Sequence, residues 1–453
     1  MTLIGNSAEA RDIAHHFHGY TNARAHEQQG PVIIEHGEGV RVFDNTGKAY
    51  IEAMAGLWSV AVGFDEKRLA DAAYAQMRKL PYYHNFSHKS HGPAIDLAER
   101  LISIAPVPMS KVFYTNSGSE ANDTILKMLW YRANAMGQPL KKKVISRLRG
   151  YHGVTIGSGS MTGLPNNHRS FDLPLPGILH TTCPHYWKDG QEGESEEQFA
   201  SRCATELEAM IDREGPETIA AFIAEPVMGA GGVVVPPATY WEKIQKVLKK
   251  HDIILIADEV ICGFGRTGKM FGSETFGIKP DVITMSKQIT SSYMPFSAFM
   301  MNDRFYQPIA DESQEIGVLG HGYTGGGHPV GAAVALENLN IIEEQGLVEH
   351  AAEAGAHMLS RLHGLSDHPL VGEVRGKGLL AALELIAPPG RENDLPPGAL
   401  GTRMNALLAE NGVISRNMID AMAFCPPLII SLSEIDEMTG IVAKSLDQLA
   451  AKV

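Results

Sequence analysis

Three short, almost wholly apolar runs, IAAFIAEPV (219–227), IILIADEV (253–260) and DVITMS (281–286), constrain this chain more than any other feature. A strand with one wet face alternates apolar and polar residues, so a run without alternation is buried on both faces. KVFYTN (111–116) and KVISRL (143–148) read as further strands, and helical patterns such as TYWEKIQKVLKKH (239–251) lie between several of them. Alternating strands and helices predict an α/β fold with a mostly parallel sheet covered on both faces. Such sheets bind ligands beyond the carboxyl ends of their strands. Here the polar residues cluster at those ends.

At 453 residues the chain is too long for one simple core. Residues 32–53 alternate β-rich runs with turns (VIIE, VRVFD, AYIEA), which predicts an antiparallel meander within an amino-terminal segment, residues 1–60, packed with a small domain. Residues 61–334 form the large domain, and residues 335–453 the small α/β domain, interrupted by the loop 387–401. With 44% hydrophobic and 20% charged residues the chain reads as soluble and globular, and a net charge of −13 argues against nucleic-acid binding. The short basic run Lys141–Lys143 reads as a solvated lead into a strand. Four widely spaced cysteines without a CxxC pattern read as reduced thiols, and no leader or membrane span is visible, so the expected compartment is the cytoplasm.

Lys287 follows one apolar strand and Asp258 ends another. Pyridoxal 5'-phosphate needs such a pair: an amine to hold its aldehyde as a Schiff base, and a carboxylate to keep its ring nitrogen protonated. Ser117, Gly118, Ser119 and Glu120 open a helix directly after KVFYTN, where free N–H groups and the helix dipole favour a phosphate, although a serine-rich start also caps itself. Tyr151 and His152, in RGYHG, sit in a turn where an aromatic can stack on a planar ring or simply decorate the surface. Glu225 ends a buried strand and is either structural or part of a site. The segment GFGRTG (263–268) spells a dinucleotide motif, but the stretch RTGKMFGSETFG (266–277) is too rich in glycine and aromatics for the helix such a motif requires, and Asp258 and Glu259 would repel a pyrophosphate. His15, His16 and His18 show no acid or cysteine at ligand spacing and read as solvated, with no metal expected.

The motifs SGSEAND, RGYHG, AEPVMGAGG, ADEVICGFGRTG, the SK of TMSKQ and GYTGGGHPVGAA come one after another in an order and spacing that resembles the class III aminotransferases, pyridoxal-phosphate enzymes of fold type I. AGLWSVAVGF, YYHNFSH and VISRNMIDAMAFCPPLI resemble the ω-amino acid/amine:pyruvate transaminases among them. The resemblance implies that Lys287 bears the cofactor and shuttles a proton, and that Asp258 pairs with the ring nitrogen. It implies that Val260, on the same strand face as Asp258, and Tyr151 cover the two ring faces. Gly118 and Ser119, with Ser117 assisting, would hold the phosphate, and Thr324 would reach it from the partner of a homodimer, a tetramer being left open. Glu225 would support the ring hydroxyl, Trp58 and Phe86 would line the substrate sub-pockets, and Arg416 would bind a keto acid's carboxylate and swing out for an amine. The run Gly325–Gly327 suggests a loose loop, and Met294 and Phe296 stand where small or aliphatic residues are common, which leaves the reach of the large pocket open. A same-fold aminomutase or decarboxylase is the nearest rival reading. A nicotinamide-dependent oxidoreductase is more distant, and a catalytically inactive binding protein is disfavoured by the presence of both Lys287 and Asp258.

Overall fold

The computed structural model describes residues 6–388, 390–391 and 394–453. Its centre is a seven-stranded sheet of β1 (Lys111–Thr115), β2 (Lys143–Arg147), β3 (Ile178–Thr181), β4 (Ile219–Ala224), β5 (Ile254–Asp258), β6 (Val282–Met285) and β7 (Ser297–Met301), in the order β1–β7–β6–β5–β4–β2–β3. The five strands from β6 to β3 run parallel, while β7 is antiparallel to both of its neighbours. No helix of crossover length separates β6 from β7, only the segment 286–296, and a direct return lays a strand antiparallel.

Every residue of β4, β5 and β6 is buried, as their unbroken apolar character predicts. Ile223 and Ile256 pack with Ile125 and Leu129 of helix Gly118–Ala135 on one face. Phe222 and Leu255 pack with Phe199 of helix Glu196–Glu214 and Trp241 of helix Tyr240–Lys250 on the other. The period-2 alternation of a strand thus divides one apolar run between two cores.

A second, antiparallel sheet is built from Val371–Gly376, Ala381–Leu385, Ala421–Phe424 and Arg416–Met418. The amino-terminal meander (Ile34–Glu38, Arg41–Asp44, Ala49–Glu52) gains a fourth, parallel strand from Val413–Ile414. Helix Pro329–Glu344 runs through residue 335 and packs on helices Lys67–Lys79 and Gly92–Ser103.

Several local expectations change. The lysines at 141–143 are paired rather than merely solvated: Lys141 Nζ donates to Asp252 O at 2.9 Å, Lys142 Nζ to Asn134 Oδ1 at 2.7 Å and Lys143 Nζ to Glu214 Oε2 at 2.9 Å. The glycines of GFGRTG allow close packing: a Cβ on Gly268, at φ +84°, would lie 2.9 Å from Ala352 Cβ. The histidines near the amino terminus do have an acid, Asp12, which accepts from the rings of His16, His18 and His26. The four cysteines are buried and free.

Candidate functional site

β5 and β6 are parallel neighbours with Asp258 opposite Thr284, so their carboxyl ends deliver Asp258 and Lys287 to the same edge of the sheet. Lys287 has φ 48° and opens a tight 3₁₀ turn, Lys287–Thr290. Both residues line one cavity together with Ser117, Gly118, Ser119, Tyr151, Glu225 and Val260. Burial pulls the Lys287 amine below the usual lysine range, against the opposing pull of Asp258 and Glu225. The strand ends at Asp258, so strand alternation does not place Val260; it sits in the turn beyond, where its amide donates to Asp258 Oδ1 at 3.2 Å.

Besides the Val260 amide, two side chains hold Asp258. His152 Nδ1 lies 2.8 Å from its Oδ2, and Asn122 Nδ2 donates to the same oxygen at 2.9 Å. Thr284 Oγ1 donates to Asn122 Oδ1 at 2.9 Å, which fixes the amide's orientation. Sequence reasoning missed Asn122, although it lies one helical turn beyond Gly118 and therefore on the same helix face.

Ser117 caps helix Gly118–Ala135, its side chain accepting from Glu120 N at 3.2 Å. The amides of Gly118 and Ser119 find no protein acceptor among the described residues, the usual state of a first helical turn. A Cβ on Gly118 would stand 3.2 Å from Val260 Cγ2, so the residue keeps the cavity wall thin. Glu225 accepts from Tyr151 N at 3.0 Å through Oε1 and from Gly229 N at 2.9 Å through Oε2, and burial raises its pKa. Burial likewise raises that of the Tyr151 hydroxyl, with the nearby Tyr20 adding to it.

Arg416 begins its strand half-buried, its guanidinium 5.9 Å from the Tyr20 ring and within electrostatic reach of Lys287 and Tyr151. Tyr20, whose hydroxyl also accepts from Asn167 Nδ2 at 2.6 Å, is a second residue that sequence reasoning missed. Only the fold brings it to Arg416.

Four expected residues do not line this cavity, Arg416 and the three that follow. Trp58 is 2% exposed and packs with Val233, Ile261 and Cys425; only Ile261 among these lines the cavity. Phe86 is 43% exposed and rests against Gly322, and Thr324 O accepts from Tyr82 Oη at 2.9 Å. Phe86 lines one groove with the exposed Val318, and Thr324 is tied to the exposed Tyr82. The glycine run near Thr324 is not loose: a Cβ on Gly325 would meet Asn116 Oδ1 at 2.7 Å, and one on Gly327 would meet Asn85 Nδ2 at 2.4 Å. Phe296 belongs to the core, packed on Gly331 and Tyr114, and the half-buried Met294 packs against that core; neither lines the cavity.

An amine, a fixed carboxylate and unpaired amides at a helix N-terminus in one enclosed space suit an anionic aromatic aldehyde. Residues 22–446 match the family model described as aminotransferase class-III. The chain is 47% identical over 425 residues to gamma aminobutyrate transaminase 1, mitochondrial, of Solanum lycopersicum, covering 93% of this chain and 82% of the relative. It is 45% identical to vanillin aminotransferase of Capsicum annuum, covering 93% of each. The structure of the omega transaminase from Pseudomonas jessenii in complex with PMP superposes with a TM-score of 0.97 at 60% identity, covering 99% of both chains.

Proposed function

This chain belongs to the class III aminotransferases, and from that premise we propose its donor, acceptor and assembly: an amino group moves from a primary amine or ω-amino acid to pyruvate, in a homodimer whose subunits share each active site. It is a transaminase of fold type I with pyridoxal 5'-phosphate as cofactor. Bound, that cofactor supplies the aldehyde that receives the amino group and a ring that withdraws electrons from the substrate carbon. The residues of the cavity fit it: Lys287 for the aldehyde, Asp258 for the ring nitrogen, Gly118 and Ser119 with Ser117 for the phosphate, Tyr151 and Val260 for the ring faces, and Glu225 behind Tyr151.

In this reading Lys287 Nζ would carry a proton between the substrate carbon and the carbon of the cofactor's aldehyde group. Its lowered pKa favours the neutral amine that this requires. Asp258, fixed by Asn122 and His152, keeps its negative charge aimed into the cavity without reorganising during turnover. Arg416 binds the acceptor's carboxylate with two parallel N–H donors, and moves aside when an uncharged side chain occupies the same space. The observation that carries the reading is the convergence of Lys287 and Asp258 on one cavity, with Arg416 within electrostatic reach of Lys287.

Support for the dimer comes from Phe86 and Thr324, which do not line the Lys287 cavity of their own chain and serve such a site only if a second copy brings them to it. The names of the relatives point to 4-aminobutyrate and arylalkyl amines as donors to try first. We keep the cytoplasm as the compartment, in line with four buried, free thiols.

The test is the visible spectrum of the cofactor-loaded protein while 4-aminobutyrate, β-alanine, taurine, putrescine and 1-phenylethylamine are added singly. Bleaching by one donor and recovery with pyruvate, one pyruvate consumed per donor, supports the proposal. A donor that is turned over without consuming a keto acid would overturn it.

A further inference from the structure

We propose that Asp12, His16 and His18, backed by His26, form a binding site for a divalent transition metal of the zinc class. The two amino-terminal helices, Ala8–His15 and Ala23–Gln29, form a hairpin joined by residues 16–22. Asp12 lies in the last turn of the first helix, His16 caps that helix, and His18 lies in the connection. The carboxylate of Asp12 meets His16 Nδ1 at 3.0 Å, His18 Nε2 at 2.8 Å and His26 Nε2 at 3.0 Å. One ligand atom each from Asp12, His16 and His18 lies within 4.8 Å of the other two. Zinc bonds of about 2.0–2.2 Å in tetrahedral geometry hold ligand atoms roughly 3.3–3.6 Å apart, so the Asp12–imidazole contacts need open only slightly from 3.0 and 2.8 Å to admit an ion.

The chemistry of the set favours a metal over a purely hydrogen-bonded hub. Two imidazoles and a carboxylate are the ligand types that first-row divalent ions select, leaving a fourth position for water. Asp12 is the one acid that these three rings share, and its side chain is only 16% exposed, with His18 and His26 at 28% and 11%. His16, 66% exposed, leaves an entry path. His26, on the second helix, steadies the ligating carboxylate, as an outer partner does. His15 takes no part in the group.

The site ties down the connection that carries Tyr20, and so holds the segment that reaches Arg416 and Asn167. Its role is positioning, since no member of the cluster lines the cavity.

The experiment uses the full chain loaded with cofactor, dialysed against zinc, freed of loose metal by gel filtration and assayed for metal per chain. One zinc per chain is expected in the unaltered protein. Asp12→Asn, which keeps the hydrogen-bonding shape of the residue, and His18→Ala should lose it; His26→Ala should bind about 10–100-fold more weakly; and His363→Ala, at an exposed and remote histidine, should keep it. Circular dichroism checks that each variant is folded. Slower proteolysis of residues 16–22 in the zinc-loaded protein is the second expected result. No retained zinc, or retention that Asp12→Asn and His18→Ala leave unchanged, would overturn the site.

Discussion

His152 Nδ1 lies 2.8 Å from Asp258 Oδ2, with the two side chains 0% and 3% exposed. Water cannot replace a donor at so buried a carboxylate, so the histidine and Asn122 together decide how firmly the negative charge is held. Removing one donor to a buried charge costs about 1.5–3 kcal/mol. His152→Ala and Asn122→Ala should each lower kcat roughly 10–100-fold while KM for the amine stays nearly constant, because the loss falls on charge stabilisation and not on substrate contact. Steady-state kinetics with saturating cofactor reads this directly. An increase in KM with unchanged kcat would place the two residues in substrate binding instead.

Lys287→Ala should fold and still bind the cofactor non-covalently, since Gly118, Ser119 and Asp258 remain, yet turnover should fall at least about a hundredfold to ten-thousandfold, the usual contribution of a positioned acid–base group. Single-turnover absorbance with an excess of amine measures it. Residual turnover within tenfold of the unaltered enzyme would remove Lys287 from the proton-transfer role.

Arg416→Ala separates the two half-reactions. Losing one partner of a desolvated charge pair costs about 2 kcal/mol or more, so affinity for pyruvate should fall roughly thirtyfold or more. A simple amine has no carboxylate to lose, and its half-reaction should change less than threefold. Measuring each half-reaction separately decides the matter, and equal losses would count against a movable arginine.

What could be read from the residues obeys a physical division. Lys287, Asp258 and Glu225 were legible because each ends or follows a strand whose unbroken apolar run announces burial, and a polar group at such a place must be satisfied or used. Tyr20 was not, because the fold brings Arg416 to it from nearly 400 residues away, while Asn122 and Asp12 show only a single helical spacing, to Gly118 and to His16, which any helix offers. β7 escapes a reading of the sequence because an antiparallel return leaves no helix to mark it. Gly325–Gly327 looks loose because composition suggests flexibility, whereas Asn116, Tyr114 and Asn85 fill the space where side chains would go. Phe296 has the look of a pocket residue, but its ring packs on Gly331, a contact invisible in local sequence.

Glu52 gives the fold a pH dependence of its own. It is 4% exposed, its carboxylate accepts from the amide of Gly56, and burial raises it from the ordinary 4.5 up to about 8. The loop it holds is unusual: Ala55, Gly56 and Trp58 have φ of 48°, 69° and 64°. The folded chain binds this proton more tightly than the unfolded chain, so the contribution is complete below about pH 4.5 and is lost as the pH rises through about 8, at up to about 1.4 kcal/mol per pH unit. Glu52→Gln cannot titrate. The stability of the unaltered protein relative to this variant should therefore decline between about pH 5 and about pH 8, as urea unfolding at several pH values would show. A difference independent of pH would mean that Glu52 is ionised throughout that range.

The face that carries Phe86 and Thr324 predicts how assembly and activity are linked. Val318 is 64% exposed there and lines one groove with the exposed Phe86, an apolar surface that a second copy would cover. A carboxylate buried at such a contact without a partner is strongly unfavourable, so Val318→Glu should shift the equilibrium from dimer to monomer. Because Thr324 and Phe86 lie outside the cavity of their own chain, the monomer should lack both the phosphate contact and the pocket wall, and lose activity in step with dissociation. Sedimentation velocity over a range of concentrations, with activity measured on the same samples, tests the link. A monomer that retains full specific activity would show that each chain completes its own site, and a dimer that survives the charge would place the interface elsewhere.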